Sequence, residues 1–235
     1  MADPVMIAGQ MRPARKRPPY LLIGLAGLLL WGFLSVADEV SEGETTAFDT
    51  TVTAFFREPD GPQNPVGPVW LEEAVRDLTA LGSFPVLGLI VAAAVVYLFM
   101  SGKQGTGVFL AISVIGGTLL SNGMKAWFDR PRPDVDAVAR VFTASFPSGH
   151  ATLSAVTYLT VGLLLAEAAA TRRLKAFWLV LGVVLALLVG VSRIYIGVHY
   201  PTDVIAGWCI GGAWALVCWA VYSAIAARQT PAAKL

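Results

Sequence analysis

Both histidines of this chain sit among residues suited to handling an anion. His199 belongs to SRIYIGVHYPTD, which carries Arg193 six residues before it and Asp203 four after. His150 closes FPSGH, and a third stretch, KAWFDRPRP from Lys125 to Pro133, holds Lys125, Arg130 and Arg132. Arg132 and Arg193 are planar forks that match phosphate oxygens, and Lys125 is a compact point charge. Pro131 and Pro133 flank Arg132 and stop a helix, which fixes the backbone that carries it. Ser148 and Gly149 read as a helix start. Free backbone N–H groups and a partial positive charge there favour an anion, and Gly149 allows close approach. Asp203 follows Pro201, which suits a first helical position. One turn after His199, Asp203 would accept a proton from one ring nitrogen and leave the other as a nucleophile. His150, with an ordinary pKa of about 6.5, remains as a general acid.

Each residue alone has a plainer reading. Ser148 would be a helix cap and Asp203 a helix-start charge. Lys125 and Arg193 would be interfacial side chains reaching for water, and either histidine a buried hydrogen-bond donor. As a set, two histidines, three cations and a carboxylate would have to share one face by accident.

The elements that must position them are apolar. The chain is 56% hydrophobic, 14% charged and has a mean hydropathy of +0.65, whereas a soluble domain carries about 25% charged residues. A net charge of +1 gives no broad basic field for nucleic acid. Cys209 and Cys218 fall in the last apolar run and form neither a disulfide framework nor a zinc site. A membrane helix needs about 20 apolar residues, and six runs qualify: 20–37, 84–101, 106–126, 149–169, 174–194 and 202–226. The first also resembles a cleavable signal peptide, but it is long for one and no soluble domain follows, so it is read as retained.

Lysine and arginine in the loops orient the spans. Arg12, Arg15, Lys16, Arg17, Lys103, Arg172, Arg173, Lys175, Arg228 and Lys234 mark the cytoplasmic side, with both termini. The acidic loop 38–83 lies outside. Within it, Phe48, Val52, Phe55 and Phe56 make one apolar stripe and Trp70, Leu71, Ala74, Val75 and Leu78 another, separated by GPQNP at 61–65. They predict short interfacial helices that either cap the bundle or serve lipid access. The expected fold is all-α, a six-transmembrane-helix bundle with short interfacial helices in the first outer loop. Its expected division is a basic tail 1–19, a membrane domain 20–226 and a cytoplasmic tail 227–235. Lys125, Arg130, Arg132, Arg140 and Arg193 run against the positive-inside bias and ask for an anion. Asp129, Asp134 and Asp136 alternate with cations and proline, so no magnesium site, and no other cofactor, is expected.

With the three stretches in view, the pattern K-x6-RP, PSGH and SR-x5-H-x3-D resembles the type 2 phosphatidic acid phosphatase superfamily, in its bacterial integral membrane branch. The resemblance is specific over 125–203, and the span layout extends it over about 20–226. It implies a metal-independent phosphatase. His199 would attack phosphorus and form a phosphohistidine, Asp203 would orient His199, and His150 would protonate the leaving group. Lys125, Arg132, Ser148, Gly149 and Arg193 would hold the phosphoryl oxygens. The role of Arg130, outside the pattern, is open. Implied substrates are lipid phosphates: phosphatidic acid, phosphatidylglycerol phosphate, undecaprenyl diphosphate or a lipid A phosphate. The active face would point to the periplasm of a bacterial inner membrane, with the bilayer as its surroundings and no obligate protein partner. The alternatives are a phosphatase of water-soluble esters, a vanadate-dependent haloperoxidase and a phosphate- or lipid-binding protein with a dead site. Six apolar spans oppose the second, and phosphate release lost in His199→Ala is the test that would exclude the third.

Overall fold

The computed structural model describes residues 20–133 and 143–229. The basic tail 1–19, Arg140, Asp134, Asp136 and residues 230–235 with Lys234 lie outside the described residues. The described chain is nearly all helix: α1 (Tyr20–Glu42), α2 (Thr46–Phe55), α3 (Val69–Ala80), α4 (Phe84–Met100), α5 (Gln104–Phe128), α6 (Gly149–Ala168), α7 (Arg172–Ile196) and α8 (Pro201–Gln229). Five of these, α1, α5, α6, α7 and α8, are long and apolar enough to cross a membrane. The apolar α4 has 17 residues and continues α3 through a bend of 47°; taking that pair as one span brings the number to six. This is an integral membrane protein.

Local chemistry sets the ends that matter. Ser148 caps α6, its hydroxyl accepting from Ala151 N at 3.5 Å. Pro201 opens α8, where its missing N–H goes unneeded. Gly197, at φ 84°, ends α7 in the left-handed region that only glycine enters freely. The chain thereby reverses within four residues, 197–200, and His199 sits in that reversal. Helix α5 stops at Phe128, before Pro131, with Asp129 left-handed at φ 41°.

Helix α6 is the central element, packed on α7, α8, α5 and α4. Its neighbours approach closely because glycine lines the crossings, the usual solution where lipid supplies no hydrophobic drive between helices. A Cβ on Gly182 of α7 would lie 2.6 Å from the Tyr158 carbonyl oxygen of α6, and one on Gly162 of α6 would lie 2.9 Å from that of Trp178. Tryptophan N–H groups tie the bundle further: Trp208 donates to Ala186 O at 2.9 Å and Trp214 to Ser113 O at 2.8 Å. Under the site, the fully buried Phe146 packs between Phe33 of α1, at 5.9 Å between ring centres, and Phe128 of α5, at 4.8 Å. It anchors the loop that delivers Ser148.

The loop 38–83 differs from expectation in three ways. Helix α1 continues to Glu42, past position 37. GPQNP forms a short strand, β2 (Gly61–Pro65), paired antiparallel with β1 (Arg57–Glu58), so the loop is not purely helical. The α2 stripe is also split. Val52 and Phe56 pack on Ala151, Ile194 and Val204, while Phe48 and Phe55 remain exposed. Helix α2 docks its inner face on the bundle, and Asp49, on that same face, is completely buried.

Candidate active site

The C-terminal ends of α5 and α7 and the N-terminal ends of α6 and α8 meet at one end of the bundle. The Ser148 amide donates to the Asp203 carbonyl at 2.9 Å, which ties the starts of α6 and α8 together. Lys125, in the last turn of α5, donates to Ala144 O at 2.6 Å and so reaches the strand of chain that precedes Ser148. A Cβ on Gly149 would stand 3.5 Å from the Lys125 side chain, so this glycine leaves the cation and the free α6 amides open to one another.

His199 is the centre of the arrangement and is buried. Its Nδ1 lies 3.3 Å from Asp203 Oδ2 and 3.4 Å from the Ser145 hydroxyl. Its Nε2 faces Arg132 Nη1 at 3.2 Å. A guanidinium only donates, so Nε2 carries the lone pair and the proton resides on Nδ1, toward the carboxylate. Burial pushes the His199 imidazole down to about 4; Asp203 opposes that shift, and Arg132 and Arg193 add to it. At neutral pH the ring is neutral, with the lone pair on its outward nitrogen.

Arg132 contacts that nitrogen, and Arg193 lies within electrostatic reach of the ring. Arg132 is braced by the carbonyls of Thr143 at 2.9 Å and Val198 at 2.8 Å, which hold its fork beside His199. Arg193 is buried and donates from Nη1 to Thr79 Oγ1 of α3 at 3.1 Å, while its Nε has no partner among the described residues. A buried, unmatched guanidinium N–H is costly unless an anion takes it. His150 lies within electrostatic reach of Arg193, His199, Arg132 and Lys125. All eight residues singled out from the sequence thus gather in one place: Lys125, Arg132, Ser148, Gly149, His150, Arg193, His199 and Asp203.

The sequence motifs leave the role of Arg130 open and do not point to Ser145, Thr79, Thr202 or Asp49 as site residues. Arg130 donates to Asp203 Oδ1 and to Asp49 Oδ2, each at 2.7 Å. Ser145 donates a short hydrogen bond to Asp203 Oδ2. Thr79 positions Arg193, and Thr202 presents its amide and hydroxyl to Asp49 at 3.0 and 2.7 Å. Asp49 had a legible signal: with Val52 and Phe56 it falls at i, i+3 and i+7, a carboxylate on the apolar face of a helix.

Comparison with known proteins gives the family and the fold. The PAP2 superfamily model matches residues 106–226. Phosphatidylglycerophosphatase B of Bacillus subtilis is 31% identical over 144 residues, 60% of this chain and 70% of the relative. An undecaprenyl-diphosphatase of Sulfolobus acidocaldarius is 48% identical over 67 residues, 28% of each chain. The crystal structure of the transmembrane PAP2 type phosphatidylglycerolphosphate phosphatase from Bacillus subtilis shares the fold. Its TM-score is 0.74 at 24% identity, with 87% of this chain and 97% of that one covered. With its motif residues gathered at one end of a membrane bundle, the chain belongs to the PAP2 superfamily and is a phosphoric monoester hydrolase.

Proposed function

We propose that the protein hydrolyses a lipid phosphate or diphosphate monoester through a phosphohistidine. His199 Nε2 attacks phosphorus while the bond to the leaving oxygen breaks, and His150 gives that oxygen its proton. Lys125, Arg132, Arg193, the Ser148 hydroxyl and the Gly149 amide hold the phosphoryl oxygens, where charge builds. Water then attacks the phosphohistidine and yields its proton to His150, and the N–P bond breaks to free inorganic phosphate. The observation that carries this reading is the His199 ring, with Nδ1 against Asp203 and an unprotonated Nε2 beside Arg132. One carboxylate among several cations suits an anion better than a divalent metal, and the reaction needs none.

A lipid substrate is supported by the relatives' names and by the setting of the site, at the end of apolar helices. A groove of about 660 Å³ between α1, α5 and α8, lined by Leu30, Leu120, Met124 and Ile210, has room for an apolar chain. Met124 adjoins the phosphate-binding Lys125. Six spans follow if α3 and α4 cross as one bent unit, with α2 and the hairpin at the interface. Lys103, Arg172, Arg173 and Lys175 at the far end support cytoplasmic termini and a site facing the outside of a bacterial inner membrane.

The test is phosphate release in detergent with EDTA present. The panel is phosphatidic acid, phosphatidylglycerol phosphate, undecaprenyl diphosphate, a lipid A phosphate and glucose 6-phosphate. Wild type should turn over a lipid, while His199→Ala and His150→Ala, still folded, should lose at least about 100-fold in kcat. Near-normal turnover in either variant would refute the mechanism, and release from glucose 6-phosphate alone would refute the lipid assignment.

A further inference from the structure

The Asp203 carboxylate has two oxygens in different company. Oδ2 serves His199, with support from the Ser145 hydroxyl and from the Tyr200 amide at 2.9 Å. Oδ1 is turned away from His199 and takes Arg130 Nη1 at 2.7 Å. Because Asp203 is fully buried, the orientation of its carboxylate depends on these partners and not on water. Arg130 is itself immobilised. Nη1 also donates to Thr202 Oγ1 at 2.9 Å, Nη2 donates to Asp49 Oδ2 at 2.7 Å and lies 3.4 Å from Thr45 Oγ1, and the guanidinium carbon sits 4.4 Å from the centre of the Tyr200 ring. Arg130 turns both terminal nitrogens to protein oxygens, two of them on buried carboxylates.

Asp49 holds this assembly from the outer loop. Oδ1 accepts the Thr202 amide at 3.0 Å, and Oδ2 accepts the Thr202 hydroxyl at 2.7 Å as well as Arg130. The Thr202 amide is one of the free N–H groups in the first turn of α8. Asp49 therefore caps α8 from a different helix, and its charge lies at the positive end of the α8 dipole. One buried carboxylate fixes the start of the helix that bears Asp203 and also the guanidinium that orients the Asp203 side chain.

We propose that Asp49 and Arg130 are positioning residues of the reaction, through which the outer-loop helix α2 holds Asp203, and hence His199, in line for attack. This rests on the phosphohistidine reading. Neither residue touches phosphate, so the effect belongs to kcat and not to anion binding.

The experiment is steady-state phosphate release from dioctanoyl phosphatidic acid in detergent, with inorganic phosphate as competitive inhibitor. The proteins are wild type, Asp49→Asn, Arg130→Lys, Thr202→Val, the Asp49→Asn/Arg130→Lys double variant and His199→Ala, each checked for a cooperative thermal transition. Asp49→Asn keeps the shape and removes the charge. Its kcat should fall about 10- to 100-fold, as expected for loss of a charged hydrogen-bond partner behind a reacting group, with KM and the phosphate inhibition constant within about twofold. Arg130→Lys should fall as far, since an ammonium cannot bridge two carboxylates in this fork geometry. The double variant should be no worse than the poorer single one, because the two act as one unit. If Asp49→Asn does not fold, Thr202→Val, which deletes one of the hydroxyl anchors, should show the same split with a smaller fall in kcat. Unchanged kcat in the folded variants, or a rise in KM and the inhibition constant at constant kcat, would overturn the proposal while His199→Ala stays inactive. Turnover in His199→Ala would instead overturn the phosphohistidine reading itself.

Discussion

Acid should destabilise this protein through His199, and the size of the effect follows from its burial. The imidazole falls from its ordinary 6.5 to about 4 in the folded chain, about 2.5 units, chiefly because the charged form would be desolvated. At 1.36 kcal/mol per unit this amounts to about 3 kcal/mol. The folded value lies below the unfolded one, so the folded protein resists a proton that the unfolded chain accepts. The contribution is complete above pH 6.5 and is lost progressively as the pH falls to about 4. His199 is wholly buried, so solvent screening does not reduce it. The assay compares thermal unfolding of wild type and His199→Gln in one detergent, from pH 7.5 to 4, in phosphate-free buffer. Glutamine does not titrate, and groups not in contact with His199 cancel, so the difference reports His199 together with its partner Asp203. Wild type should lose about 3 kcal/mol relative to His199→Gln over that range. A difference that stays flat, or wild type gaining on the variant as the pH falls, would refute the argument.

The glycine crossings and the loop 38–83 supply further expectations. Gly182→Ala puts a methyl 2.6 Å from a backbone oxygen of α6 and should cost about 1–3 kcal/mol of stability, seen as a lower thermal midpoint. Gly88→Ala, with open space around the new methyl, should be neutral or stabilising, and equal losses at the two sites would contradict close packing as the cause. Thr79→Val removes the hydroxyl that Arg193 uses and should weaken competitive inhibition by inorganic phosphate about 3- to 10-fold, a loss of order 1 kcal/mol. No change in the inhibition constant would separate Thr79 from the anion site.

The eight motif residues are legible because each belongs to a short stretch whose spacing is local, and alternating spans bring the stretches to one end. Helix ends are legible for the same reason: Ser148, Gly197 and Pro201 act on their own neighbours. The partners of Arg130 and Arg193 are not, since Asp49 and Thr79 lie 81 and 114 positions away in the chain. The α2 stripe was read as one apolar face because Phe48 and Phe55 are as hydrophobic as Val52 and Phe56; only docking separates them. GPQNP carries breaker residues, and its pairing with Arg57–Glu58 comes from tertiary context. Helix α4, Phe84–Met100, matches the expected run 84–101 to within a residue, and its continuation of α3 through a 47° bend was not legible.

The family match begins at residue 106, yet two of the residues that brace the site, Asp49 and Thr79, precede it. The shared portion carries all eight motif residues but not all of their hydrogen-bond partners. A chain cut back to 106–226 would retain the full motif set and still leave Arg130 and Arg193 each short of a partner. The catalytic unit proposed here is therefore larger than the signature that identifies the family. Among relatives, substitutions in the segment before the signature are the ones to examine for differences in rate that the motifs themselves do not explain.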